Sequence, residues 1–152
     1  MIPPLCRIYL ADKYADDGIL DSHEKAGAFL QKRYIGRTEE TVSVLCMDTK
    51  CRYLNWAVVS EGSVNATEVN IRKVVETAMR SGATCCILCH NHPGGVALPS
   101  ETDVETTRHI ADALKIIGVY LLDHIVIGGN DYVSIAQSKA YAHLFASAAG
   151  PG

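Results

Sequence analysis

The chain has no run long and apolar enough to cross a membrane. Its first residues, MIPPLCRIYLADKYADDG, lack the basic start and apolar stretch of a secretory leader. A cytoplasmic protein is therefore expected, with no membrane contact. An excess of basic charge is missing too: 14 Lys and Arg against 17 Asp and Glu leave a formal charge of −3. Few phosphates could be neutralised by such a surface, so DNA is not an expected partner. Aromatic residues make up only 7%, and neither the single Trp56 nor the tyrosines interleave with Lys and Arg as a base-stacking surface would. They read as packing. Linkers, low-complexity stretches and internal repeats are also absent, so 152 residues with 48% apolar content point to one globular domain. Six cysteines do not make a disulfide framework here. Cys85, Cys86 and Cys89 crowd into one apolar run, where strand neighbours are badly placed to bridge, and reduced buried thiols are expected. A zinc knuckle on Cys86 and Cys89 is the competing reading, but it lacks a second cysteine pair.

What is present has clear periodicity. Residues 1–20 read as an irregular segment, and residues 21–148 as the domain. Asp21 to Glu24 resembles a capping box, Ala26, Phe29, Leu30 and Tyr34 follow at helical spacing, and Gly36 ends the helix. Thr41–Met47 and Tyr53–Val59 read as paired strands, with Ser60 to Ser63 as a loop. Ile71, Val74, Val75, Ala78 and Met79 mark one face of a helix closed by Gly82. Thr84–Leu88 is nearly all apolar, as in a central strand buried on both faces. A helix opens at Ser100 and ends at Gly118, with Val104, Ala111, Leu114 and Ile117 toward the core. Val119–Ile127 and Tyr132–Ile135 follow as strands, and Ala136 to about Ala148 as a closing helix. The order predicts an α/β fold, a mixed sheet with helices on both faces.

The chemistry concentrates in HNHPGGVALPSETD, from His90 to Asp103. In an extended segment His90 and His92 point to one side and Asn91 to the other. Pro93 cannot continue a central strand, and Gly94-Gly95 let the chain turn back toward a helix start at Ser100. Asp103 then lies in the first turn of that helix. Two imidazoles and a carboxylate suit zinc (Zn2+), and three protein ligands leave a position for water. Taken singly, Ser100-x-x-Asp103 is an ordinary helix start and His-x-His a common surface pair. Together at one strand end they favour a metal site.

The pattern H-x-H-P followed by S-x-x-D, with an acid upstream, resembles the JAMM (MPN+) metallopeptidases. With HNHPGG, PSETD and the later LLDHIVIG, the chain closely resembles the RadC family over about Ser22 to Gln137. The resemblance implies a three-layer α/β/α fold like that of cytidine deaminases. It also implies that His90, His92 and Asp103 are zinc ligands, that Ser100 steadies an oxyanion and that a glutamate is the general base. In the family the base stands just before a V-x-V-L-x-x-D run, which Glu40 does here. Glu61 is the runner-up, and Glu39-Glu40 as a solvated strand start is the bland alternative. Full-length relatives carry a helix-hairpin-helix region, for which the segment before Glu40 is too short. Ser60-Glu61-Gly62-Ser63 also replaces the usual S-x-G-T.

His124 either orients a ligand from behind or is a satisfied core histidine. His23, His109 and His143 read as surface residues. The expected reaction is zinc-dependent hydrolysis of a peptide or isopeptide bond in a peptide or protein substrate, with self-association left open. A deaminase is disfavoured, because H-x-E with P-C-x-x-C is absent. The alternative is a DNA-repair-associated or partner-binding module with little hydrolytic activity.

Overall fold

A computed structural model describes residues 18–62 and 70–146. Most of the expected irregular segment, together with Ser63 and the stretch after Ala146, lies outside the described residues. Three helices and five strands follow in the order α1 (His23–Tyr34), β1 (Thr41–Met47), β2 (Tyr53–Glu61), α2 (Ile71–Arg80), β3 (Cys85–Asn91), α3 (Glu101–Ile116), β4 (Tyr120–Gly128) and β5 (Asp131–Ser134). They form a single domain whose sheet has the order β2-β1-β3-β4-β5. Antiparallel pairs join β1 to β2, β1 to β3 and β4 to β5, while β3 and β4 run parallel through α3. The sheet is mixed, as the sequence predicts.

Residue parity divides the core. Leu45 and Met47 of β1, Ile87 and Cys89 of β3, and Ile125 and Ile127 of β4 pack against Ala26, Leu30 and Tyr34 of α1. Val42, Val44, Cys46, Cys86 and Leu88 face the other way, against Val74 and Ala78 of α2 and Ile110 and Leu114 of α3. Every residue of β3 is buried, in keeping with a central strand covered on both faces. Each large side chain buried this way contributes about 1.5–3 kcal/mol relative to exposure. One irregularity sets the phase of β4: Cys86 pairs with Leu121 but Ile87 with Asp123, so Leu122 is an extra residue. Leu121 and His124, three apart, thereby share the α3 face.

The structure corrects several expectations. No closing α-helix forms among the described residues; Ile135–Gln137 and Ala142–Leu144 are single 3-10 turns. The Asp123 carboxylate holds the Ala136 N–H, and Ala146 N–H donates to Leu121 O, so the segment is tied to the sheet at both ends. Strand β2 extends through Glu61, which pairs with Thr41 and is not in a loop. Strand β3 runs on to Asn91. Met79 does not join the core face of α2 and is largely exposed. The described end of the N-terminal segment is tied to the fold: Ile19 bridges Arg52, and Leu20 N–H donates to Cys51 O. All five described cysteines are free thiols. Cys86 and Cys89 face opposite sides of the sheet, which rules out a shared metal ion.

Tyr34 fastens α1 to the sheet. Its buried hydroxyl lies 3.1 Å from Thr41 O, 2.9 Å from Cys89 O and 2.8 Å from Ser43 Oγ. Burial pushes its ionisation far above the ordinary tyrosine range, so it stays a neutral donor. Tyr34→Phe leaves these buried groups without their partner and should lower stability by about 1–3 kcal/mol. Urea denaturation at constant m-value measures this directly.

Candidate metal centre

Strand β3 delivers His90 to the α3 face, and His92 follows immediately after the strand ends. The His92 N–H donates to Ile127 O at 2.8 Å, which continues the β3–β4 pairing one residue further. Pro93 then breaks the strand, and Gly94 takes a φ of +69°, a conformation that favours glycine. The returning loop passes so close to β4 that a Cβ on Gly128 would stand 2.4 Å from Ala97 N. Glycine at 128 is therefore required by the loop that carries the histidines. Val96 O accepts a hydrogen bond from His92 Nδ1 at 3.0 Å. The carbonyl can only accept, so Nδ1 bears the proton and a neutral His92 presents a bare Nε2.

Helix α3 begins with a reciprocal capping box: the Ser100 hydroxyl accepts from Asp103 N–H at 3.1 Å, and Asp103 Oδ2 accepts from Ser100 N–H at 2.8 Å. The same Oδ2 lies 3.2 Å from His90 Nε2 and 3.4 Å from His92 Nε2, and the two Nε2 atoms are 2.9 Å apart. Burial alone would raise the Asp103 carboxyl. The hydrogen bond and charge of His90, with Ser100 behind them, outweigh it and hold Asp103 well below the usual carboxylate range. These three atoms suit a metal ion. Zinc bonds of about 2.0–2.1 Å in a tetrahedron place neighbouring ligand atoms about 3.3–3.4 Å apart; the two Asp103 distances are close to this, whereas the imidazole nitrogens at 2.9 Å would have to separate slightly.

Glu40 adds a fourth donor, a carboxylate oxygen. Its carboxylate and the two histidines present atoms within 4.8 Å of one another, and it is half-buried. Glu40, His90, Asp103, Thr106 and His124 line one small cavity. Glu61 is elsewhere: its carboxylate pairs with Arg37 at 3.3 Å and is more than half exposed. Glu39 is exposed as well. Ser100 is exposed at the helix start; its cap bond uses the oxygen as acceptor and leaves the hydroxyl hydrogen available.

Three contributors were not resolved by sequence reasoning. Asn91 points to the opposite face, as expected, but it is not idle: its Oδ1 accepts from Thr41 N–H at 2.7 Å and its Nδ2 donates to Glu39 O at 3.1 Å. It thus grips the peptide groups on both sides of Glu40. His124 is buried, with its Nε2 2.7 Å from His90 Nδ1 and its Nδ1 2.6 Å from Thr107 Oγ1. Burial, then the neighbouring His90, holds it well below the ordinary histidine range, in the neutral form. Thr107 Oγ1 donates to Asp103 O at 2.6 Å. The one signal in sequence was position: Thr107 lies one helical turn beyond Asp103, and His124 on the neighbouring strand. Of the histidines expected at the surface, His109 is exposed against Glu105, while His23 is only partly exposed, beside Glu24.

Among the described residues, no helix is long and apolar enough to cross a membrane. Residues 20–140 match the RadC-like JAB domain. The chain is similar to a UPF0758 protein of Alcanivorax borkumensis, 39% identical over 136 residues, which are 90% of this chain and 61% of that protein. A UPF0758 protein of Tolumonas auensis is 38% identical over 129 residues, 85% of this chain and 58% of that one. A UPF0758 protein of Pseudomonas syringae pv. tomato is 30% identical over 133 residues, 88% and 59% respectively. The chain therefore spans about 58–61% of the length of these curated relatives. With the domain match covering most of its length, the chain belongs to the RadC family and carries that family's JAB domain.

Proposed function

We propose that this domain is a zinc-dependent hydrolase of the JAMM type that cleaves a peptide or isopeptide bond. The observation that carries the reading is the meeting of His90 Nε2, His92 Nε2 and Asp103 Oδ2 beside a half-buried glutamate. His90, His92 and Asp103 are the residues that would hold the ion. Two imidazoles and one carboxylate form a donor set that zinc accepts, and three protein ligands are characteristic of catalytic rather than structural sites. Bound there, zinc supplies Lewis acidity and brings the pKa of water to about 7.

The chain's own residues supply the rest. Glu40 takes a proton from water on its carboxylate and delivers it to the leaving nitrogen. Asn91 keeps that carboxylate in place by holding the backbone on either side of it. Ser100 retains a hydroxyl hydrogen to donate to the carbonyl oxygen as negative charge develops there. A groove of about 630 Å3 runs along α1, bordered by Gln31, Arg37, Asn91 and His92, and meets the proposed ligands only at His92. The repair-module reading is the weaker one, because a formal charge of −3 does not favour contacts to many phosphates.

Protein reconstituted with zinc and freed of excess metal should hold close to one equivalent by elemental analysis. His92→Ala should lose most of it; full retention would remove His92 from the ligand set. Against a peptide library, Glu40→Gln should keep its zinc and fold while activity falls about a hundred- to ten-thousand-fold. Glu61→Gln is the control and should stay near wild type, because its carboxylate is turned to Arg37. The reverse pattern would transfer the base role to Glu61. Binding to duplex DNA near 150 mM salt, roughly physiological, should be weaker than micromolar by fluorescence anisotropy.

A further inference from the structure

Three buried side chains behind the centre form an unbroken path: His90 Nδ1 to His124 Nε2 at 2.7 Å, His124 Nδ1 to Thr107 Oγ1 at 2.6 Å, and Thr107 Oγ1 to Asp103 O at 2.6 Å. For neutral imidazoles, the direction of every bond follows from the hydroxyl of Thr107. Thr107 has a single hydroxyl hydrogen, and the Asp103 carbonyl can only accept it. Thr107 Oγ1 must then accept from His124 Nδ1–H. A neutral His124 so protonated has a bare Nε2, which accepts from His90 Nδ1–H. A neutral His90 then carries its lone pair on Nε2, the atom beside His92 Nε2 and Asp103 Oδ2.

We infer that His124 and Thr107 are positioning residues for the metal centre, a tautomer lock that fixes which nitrogen of His90 faces the ion and ties that ring to the turn carrying Asp103. The inference rests on His90 being a ligand, as proposed above. A ligating histidine needs its second nitrogen engaged, which sets ring orientation and raises basicity. Here the partner is not a carboxylate or a carbonyl but a second histidine, which is itself ambiguous until something fixes its protons. Thr107 removes the ambiguity.

Two features hold the lock rigid. The side chains are buried, His124 at 3% exposure and Thr107 at 0%, so water does not compete for the bonds. The His124 backbone is clamped too: its N–H donates to Asp123 Oδ1 at 2.7 Å, and the same carboxylate binds Ala136 N–H and the Ser134 hydroxyl. Adjacent Asp123 and His124 thus work on opposite faces of β4, the acid anchoring the strand and the imidazole reaching the centre. A histidine that merely fills the core would have no reason to spend both nitrogens on residues at the centre or one turn from it.

The test is zinc affinity of the full chain, measured by competition with a chromophoric chelator, with Co2+ absorption as a second reading of the ligand field. Thr107→Val keeps the shape and removes the acceptor; it should weaken zinc about ten- to a hundred-fold and change the cobalt spectrum. Thr107→Ser restores the hydroxyl and should restore both. His124→Phe should weaken zinc at least as much as Thr107→Val, and if it fails to fold the threonine pair decides alone. Wild-type affinity in Thr107→Val, or equal weakening in Thr107→Ser, would overturn the lock. His92→Ala, assayed in parallel, separates the two ideas. If it alone loses zinc, the ligand set stands and the lock falls; if it keeps zinc, the ligand set itself is wrong.

Discussion

Two imidazole nitrogens held 2.9 Å apart, with a carboxylate oxygen 3.2 and 3.4 Å away, need positive charge among them. A shared proton satisfies one pair of atoms; a metal ion satisfies all three. Much of the surrounding architecture serves to keep these atoms together. Strand β3 is central, so its end is reached from both sides of the sheet. Pro93 stops the strand where the second histidine has just been delivered. Gly94 turns the loop, Gly128 lets it pass against β4, and the capping box at Ser100 fixes Asp103 in the first turn of α3.

The alternation of side chains along β3 divides labour within the HNH stretch. His90 and His92 bring their Nε2 atoms together beside Asp103, on the α3 side. Asn91, on the α1 side, holds the backbone around Glu40, close to where Tyr34 binds Thr41 O and Cys89 O. The proposed ligands and the proposed base are thereby fixed relative to each other through adjacent residues of one strand. Catalytic geometry must be held to a fraction of an ångström, and groups mounted on strands and helices are more precise than groups on loops.

How much of this could be read from residues alone varies with the range of the interactions. The three α-helices, the pairing of β1 with β2 and the mixed sheet follow from local periodicity and turn residues. So did the choice of His90, His92 and Asp103 as one cluster, because strand parity and a helix start are local properties. What failed was longer in range. Ala136 onward is rich in helix formers, yet tertiary ties at Asp123 and Leu121 hold it in short turns. Glu61 read as loop because its pairing with Thr41 depends on the partner strand. His124 could not be assigned to a face, since the extra residue at Leu122 shifts the phase of β4 and leaves no mark in the sequence. Asn91 and Thr107 gave no chemical signal at all; their roles exist only once Glu40 and His124 have been brought beside them.

The most direct test is crystallographic: zinc-loaded protein with anomalous data collected on both sides of the zinc absorption edge. The account predicts one strong difference peak, bonded to His90 Nε2, His92 Nε2 and one Asp103 oxygen at about 2.0–2.2 Å, with His124 still hydrogen-bonded behind His90. A peak placed instead among the cysteines, or no ordered zinc between the two histidines, would contradict it.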